Sequence, residues 1–121
     1  MNSYEEIIFE ILPRYFKYKF QHHVRPKWLL NPKTGRSLEL DFYSEEGKIA
    51  IEVNGGLHYN PRFNPNLEDQ KYRDTLKAKL LKEKGIRLWI INSATIRRKS
   101  NYWANVIENS NLFTLKSGLY W

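Results

Sequence analysis

The segment LELDFYSEEGKIAIEVNGGLHY, Leu38 to Tyr59, constrains this chain most. It reads as two strands joined by a tight turn. Side chains alternate between faces along a strand. Leu38, Leu40 and Phe42 therefore fall on one face, and Glu39, Asp41 and Tyr43 on the other. The second strand sets Ile49, Ile51 and Val53 against Lys48, Ala50, Glu52 and Asn54. With Glu46-Gly47 as a two-residue turn, Glu45 faces Lys48 and Asp41 lies opposite Glu52. Like charges opposed across a ladder repel. A divalent cation between them converts that repulsion into binding, so the hairpin points to a metal-dependent enzyme.

The rest of the chain supplies a frame for the hairpin. Ser3-x-x-Glu6 has the spacing of a capping box before Ile7, Ile8, Ile11 and Leu12, which predicts a helix from Ser3 to Leu12 ending near Pro13. Residues 16–24 alternate aromatic and polar and read as a first strand. Pro26, Pro32 and Gly35 mark the next stretch as a loop, followed by the hairpin strands at about 37–44 and 48–54. GGLHYNPRFNPN is a loop that ends at Asn66, a helix cap. A long helix then runs from Leu67 to Lys84 and stops at Gly85 in a left-handed conformation. Residues 86–92, IRLWIIN, form a buried strand of the length and composition that a parallel crossover delivers. A last helix is expected around 101–109, and the tail LFTLKSGLYW is either a short strand or a packed arm. The result is one α/β domain with a mixed sheet flanked by helices.

Composition restricts the chemistry. With no cysteine, disulfides, thiolate catalysis and iron–sulfur clusters are excluded. No apolar run is long enough to cross a membrane, and the acidic N-terminus does not read as a secretion signal, so an intracellular protein is expected. A net charge of +7 favours a polyanionic partner. Bases cluster at Arg25, Lys27, Lys33 and Arg36, and again at Arg97, Arg98 and Lys99. Either cluster suits phosphate contacts, and each equally suits a solvated surface.

The long helix carries a second clue. At about 100° per residue, Gln70, Asp74 and Lys77 fall in the middle of the arc bounded by Leu76, Leu80 and Tyr72 on one side and Leu67, Ala78 and Leu81 on the other. Polar groups on a buried face need partners. Either Asp74 and Lys77 pair with each other, or the stripe points toward Asp41 and Glu52.

Asp41 followed by a hairpin and Glu52-Val53-Asn54 resembles the PD-(D/E)XK nuclease motif, and the element order α-β-β-β-α-β resembles that superfamily's core. IAIEVNGGLHY with QKYRDTLKAKLLKEKGIRLWII is most similar to the branch of very-short-patch-repair-like nucleases and small phage and homing endonucleases. The likeness covers about residues 3–92. It implies a restriction-endonuclease-like fold and hydrolysis of DNA phosphodiester bonds by a water activated by magnesium or manganese. It implies Asp41, Glu52 and the Val53 carbonyl as metal ligands, with Glu6 of the first helix as an outer contact unless it serves the cap alone. The motif's usual lysine is Asn54 here, and Asn54 cannot supply a positive charge. Lys77 is the candidate replacement, Gln70 a candidate to orient water or phosphate, and His58 either a general acid–base or a hydrogen-bonded loop histidine. His22 and His23 read as remote from the motif and receive no role. Specificity is expected from loops, from DNA structure, or from a fused or bound recognition partner, and double-strand cutting from a homodimer or sequential nicks. A nuclease-fold module that binds nucleic acid without cutting is the alternative that Asn54 supports.

Overall fold

The computed structural model describes residues 1–55, 60, 62, 65–97, 101, 104–106, 109 and the backbone of 119–120. Helix α1 spans Ser3–Tyr15, β1 Gln21–Val24, β2 Leu30–Asn31, β3 Arg36–Ser37, β4 Leu40–Ser44 and β5 Ile49–Asn54. Helix α2 spans Leu67–Glu83, β6 Arg87–Asn92 and β7 Leu119–Tyr120, with a 3₁₀ turn at Ser93–Thr95. One sheet has the order β1-β4-β5-β6-β7, and β2 and β3 form a separate hairpin. Pairing is antiparallel except between β5 and β6, which run parallel with α2 as their crossover. The coarse class is that of a mixed α/β sheet with helices.

The helices cover opposite faces. Ile7, Ile8, Ile11 and Leu12 of α1 pack with Phe42, Ile49, Ile51, Trp89 and Ile91. Leu81 of α2 packs with Leu29, Leu40, Tyr43, Ala50 and Leu88. Strands β5 and β6 alternate strictly between these clusters, as a doubly covered sheet requires. Strand β4 does not, because Leu40 and Phe42, two residues apart, belong to different clusters. The break falls at Asp41.

Several boundaries differ from those read in the sequence. Asn2, not Ser3, caps α1, and its partner in the capping box is Glu5, not Glu6. Starting one residue earlier satisfies the cap and leaves Glu6 exposed. Pro13 lies inside the helix, which continues to Tyr15 and closes with Phe16 N donating to Leu12 O at 3.0 Å. The first strand is only Gln21–Val24, because Tyr15, Phe16, Tyr18 and Phe20 instead pack against the α1-side core. The loop at 25–36 contains the β2–β3 hairpin, anchored by buried Asn31 and turned at Gly35 with φ +72°. Asn66 occupies the α2 cap without a side-chain capping bond, since its ψ of 36° is not the extended value that aims a capping oxygen inward. Gly85, by contrast, has the expected left-handed φ of +72°.

The β4–β5 register pairs Phe42 with Ile51, Tyr43 with Ala50 and Ser44 with Ile49. Extended by one step, it sets Asp41 opposite Glu52. The connection is a four-residue turn, Glu45–Lys48, rather than a two-residue one. Lys48 takes the left-handed conformation at φ 51°, and Gly47 N donates to Ser44 Oγ at 3.0 Å. Beyond Thr95, residues 104–106 are helical, and Asn105 and Asn109 close i−4 bonds to Asn101 and Asn105. His58, Gly56, Arg98, Lys99 and most of the tail lie outside the described residues.

Candidate metal centre

The site forms where the β4–β5 ladder opens. Past Phe42–Ile51 the carboxylates take over the cross-strand bonds. Asp41 N donates to Glu52 Oε2 at 2.9 Å, and Val53 N donates to Asp41 Oδ2 at 2.8 Å. Each strand's backbone is thus pinned by the other's acid, which fixes the two side chains as neighbours. Glu52 sits on the α2 face, and Lys77 Nζ reaches across from α2 to pair with Glu52 Oε1. The pair is sequestered, with side-chain exposures of 15% for Lys77 and 10% for Glu52.

From the other face α1 contributes Glu5, which is 7% exposed. Its Oε2 lies 2.6 Å from His23 Nε2 of β1. His23 falls opposite Asp41 by register, between the pairs His22–Phe42 and Val24–Leu40. Its φ of +51° is unusual within a strand, although histidine tolerates this region better than most residues. Glu5, His23 and Asp41 each offer a donor atom, and these atoms lie within 4.8 Å of one another. Asp41 thus sits between both helices.

The electrostatics follow from burial. Desolvation pushes the Glu52 carboxyl up to about 7 against the pull of Lys77, with the neighbouring Asp41 charge adding to the rise. Desolvation also raises Asp41, opposed by its bond from Val53. His23 is raised, chiefly by its hydrogen bond with Glu5. Among the described residues, three carboxylates (Glu5, Asp41 and Glu52) face one permanent cation, Lys77. Two adjacent carboxylates with raised proton affinity, with a third beside them, are a donor set that fits a hard divalent ion.

The remaining predicted residues are placed as follows. Asn54 is half-buried at the end of β5, in register with Asn92. Gln70 engages its own helix, donating to Asp74 Oδ1 at 2.9 Å and accepting from Arg73 Nη2 at 2.9 Å. Lys77 pairs with Glu52, so the stripe on α2 is divided: Gln70 and Asp74 face each other, and Lys77 faces the carboxylates. Glu6 is exposed, and Glu5 takes the position near the acids.

Of the basic residues, Arg25 donates to Ser37 O at 3.0 Å and pairs with Glu39 at 3.1 Å. Lys27 and Arg36 are exposed. Lys33 Nζ lies 3.6 Å from the Tyr72 ring centre, tying the β2–β3 hairpin to α2. Arg97 is exposed, and its backbone is clamped by fully buried Asn109, which accepts from Arg97 N at 2.6 Å and donates to Arg97 O at 2.8 Å.

Sequence reasoning missed Glu5 and His23. The capping-box spacing fits Asn2–Glu5 as well as Ser3–Glu6, and only the first alternative makes the acid a buried group. The β1–β4 register, which brings residue 23 to residue 41, is set through a long connection that the local sequence does not fix.

No family model matches the chain, and no solved structure matches it. Its relatives by sequence include virus-encoded proteins. Uncharacterized protein 033L of Invertebrate iridescent virus 3 is 41% identical over 69 residues, 53% of this chain and 36% of that protein. Uncharacterized protein 307L of Invertebrate iridescent virus 6 is 38% identical over 74 residues, 53% of this chain and 38% of that protein. Uncharacterized protein 094L of Frog virus 3 is 39% identical over 71 residues, 54% of this chain and 46% of that protein. The match thus spans less than half the length of each of these relatives. Among the described residues, no helix is long and apolar enough to cross a membrane.

Proposed function

We propose that this chain is a metal-dependent DNA endonuclease with a restriction-endonuclease-like core, acting as a virus-encoded enzyme within the host cell. The observation that carries the reading is the mutual pinning of Asp41 and Glu52 where two strands part, with Lys77 of α2 delivered to the same place. Asp41 and Glu52 would hold magnesium or manganese, with the Val53 carbonyl as the third oxygen donor. When bound, such a cation polarises the scissile phosphate and makes an attacking water more acidic. Lys77 offers the positive charge that Asn54 cannot, placed to steady the phosphate or the water as negative charge develops. The half-buried carboxylate pocket limits competing water around the reacting groups. The exposed bases Lys27, Arg36 and Arg97, with a net charge of +7, suit the DNA backbone. Selection of a site on DNA, by a second copy or a recognition partner, belongs to the same proposal.

A non-cutting nucleic-acid-binding module is the second reading. The Lys77–Glu52 pair favours it, because an acid already closed on a lysine has one charge fewer to offer a cation. Cleavage of supercoiled, linear, branched and single-stranded DNA with magnesium or manganese separates the two. The expected result is nicking or cutting by the wild type that leaves a 5′-phosphate, abolished in Glu52→Gln with DNA binding retained. A Glu52→Gln protein that cuts as fast as wild type refutes the metal assignment. A wild type that binds DNA without cutting any substrate establishes the second reading.

A further inference from the structure

The α1 side of the site holds a donor set of different chemistry from the Asp41–Glu52 pair. We infer that Glu5, His23 and Asp41 form a second cation position, whose imidazole ligand selects manganese, cobalt or zinc over magnesium. The inference deepens the nuclease reading and shares Asp41 with it.

Three elements deliver the ligands: Glu5 from α1, His23 from β1 and Asp41 from β4. Their donor atoms lie within 4.8 Å of one another. Ligands at about 2.0–2.3 Å from a metal lie up to about 4.5 Å apart when on opposite sides of it. The three donors are thus already gathered within about the span of one ion's ligand shell. Glu5 is doubly fixed, since its Oε1 faces Asn2 N at 3.4 Å in the helix cap while Oε2 meets His23.

His23, exposed at the edge of the sheet, has a second carboxylate near its other ring nitrogen. Its Nδ1 faces Glu39 Oε1 at 3.8 Å, and Glu39 Oε2 is held by Arg25 Nη2 at 3.1 Å. At that separation Glu39 is a charge neighbour of the ring rather than a hydrogen-bond partner, and Nε2 is the nitrogen that meets Glu5. Oxygen-only ligation at Asp41 and Glu52 suits magnesium, whereas a nitrogen donor shifts preference to borderline transition ions. The competing account is a closed Glu5–His23 ion pair that takes no metal.

The test uses the full chain and Mn²⁺ alone, with pulsed electron paramagnetic resonance reading coupling from a ligand ¹⁴N. His23→Asn removes the imidazole while keeping a side chain that tolerates positive φ. Glu5→Gln keeps the cap, and its thermal melt and circular dichroism check folding. The wild type is expected to show nitrogen coupling. His23→Asn should lose it and bind Mn²⁺ more weakly by over about tenfold, the least that losing even an outer-shell partner costs. Mg²⁺ affinity should change little, and Glu52→Gln should retain the coupling. If His23→Asn does not fold, Glu5→Gln reads the same weakening of Mn²⁺. Wild-type Mn²⁺ without nitrogen coupling, or undiminished Mn²⁺ binding in either variant, overturns the inference. Cleavage without nitrogen coupling overturns this site and leaves the nuclease reading standing, while coupling without cleavage does the reverse.

Discussion

Replacing Lys77 by methionine probes the charge balance at the centre of this fold. Methionine keeps the length of the stem and removes the ammonium that faces Glu52. With Lys77 in place, burial already pushes Glu52 up to about 7 from 4.5. A carboxyl that binds its proton more tightly folded than unfolded favours the folded state fully below pH 4.5. That contribution is lost as pH rises through about 7. The gap corresponds to about 3 kcal/mol, at about 1.4 kcal/mol per tenfold change in proton affinity. Without Lys77, an ionised Glu52 is a buried charge lacking its partner, a defect worth roughly 3–5 kcal/mol. At pH 5 Glu52 is protonated in both proteins, and only a hydrogen bond of about 1 kcal/mol is lost. Asp41 is raised for the same reason and shifts the balance in the same direction. His23, also raised, is common to both proteins and cancels in the comparison.

Thermal unfolding in chelator at pH 5 and pH 8, at matched ionic strength, reads the difference. For a domain of this size each kcal/mol moves the midpoint by roughly 3–6 °C. Lys77→Met should therefore melt a few degrees below wild type at pH 5, and more than about 10 °C below at pH 8. Equal destabilisation at both pH values refutes the reasoning, because it would mean Glu52 is ionised throughout and burial does not govern it.

Asn109→Ala removes three hydrogen bonds, to Arg97 N, Arg97 O and Asn105 O, and leaves an unpartnered amide beneath the surface. A loss of about 2–3 kcal/mol is expected from chemical denaturation. Gly47→Ala places a methyl 2.7 Å from Tyr18 Cγ, against the root of a ring packed on the core. It should cost about 1–3 kcal/mol. Pairing it with Tyr18→Leu should recover part of that loss, and strictly additive losses in the double variant would refute the clash.

How far the sequence discloses this structure depends on the range of the interactions. Asp41 opposite Glu52 was legible because strand alternation and a short turn fix a hairpin register locally, and one extra residue at each end of the turn leaves that register unchanged. Gly85 was legible because the end of a helix is a local event. Lys77 could be placed on the correct arc of α2, although its partner could not be distinguished from Asp74 by periodicity alone. Glu5 was misread by one residue because Asn2 and Ser3 are both good caps, and burial decides between them. His23 was passed over because its position depends on a β1–β4 pairing set across the β2–β3 hairpin. The change of face at Asp41 was invisible to an alternation argument, which assumes that a strand keeps its pleat.

The left-handed backbone at His23 has a further effect on how the molecule meets others. Among the described residues β1 is an outer strand, with only one side bonded to β4. A flat outer strand invites the addition of a foreign strand and, with it, fibrous association. A twist three residues into a four-residue strand deprives an incoming chain of an even row of amides and carbonyls. The same distortion that brings an exposed imidazole to Glu5 thus also guards the sheet's open border.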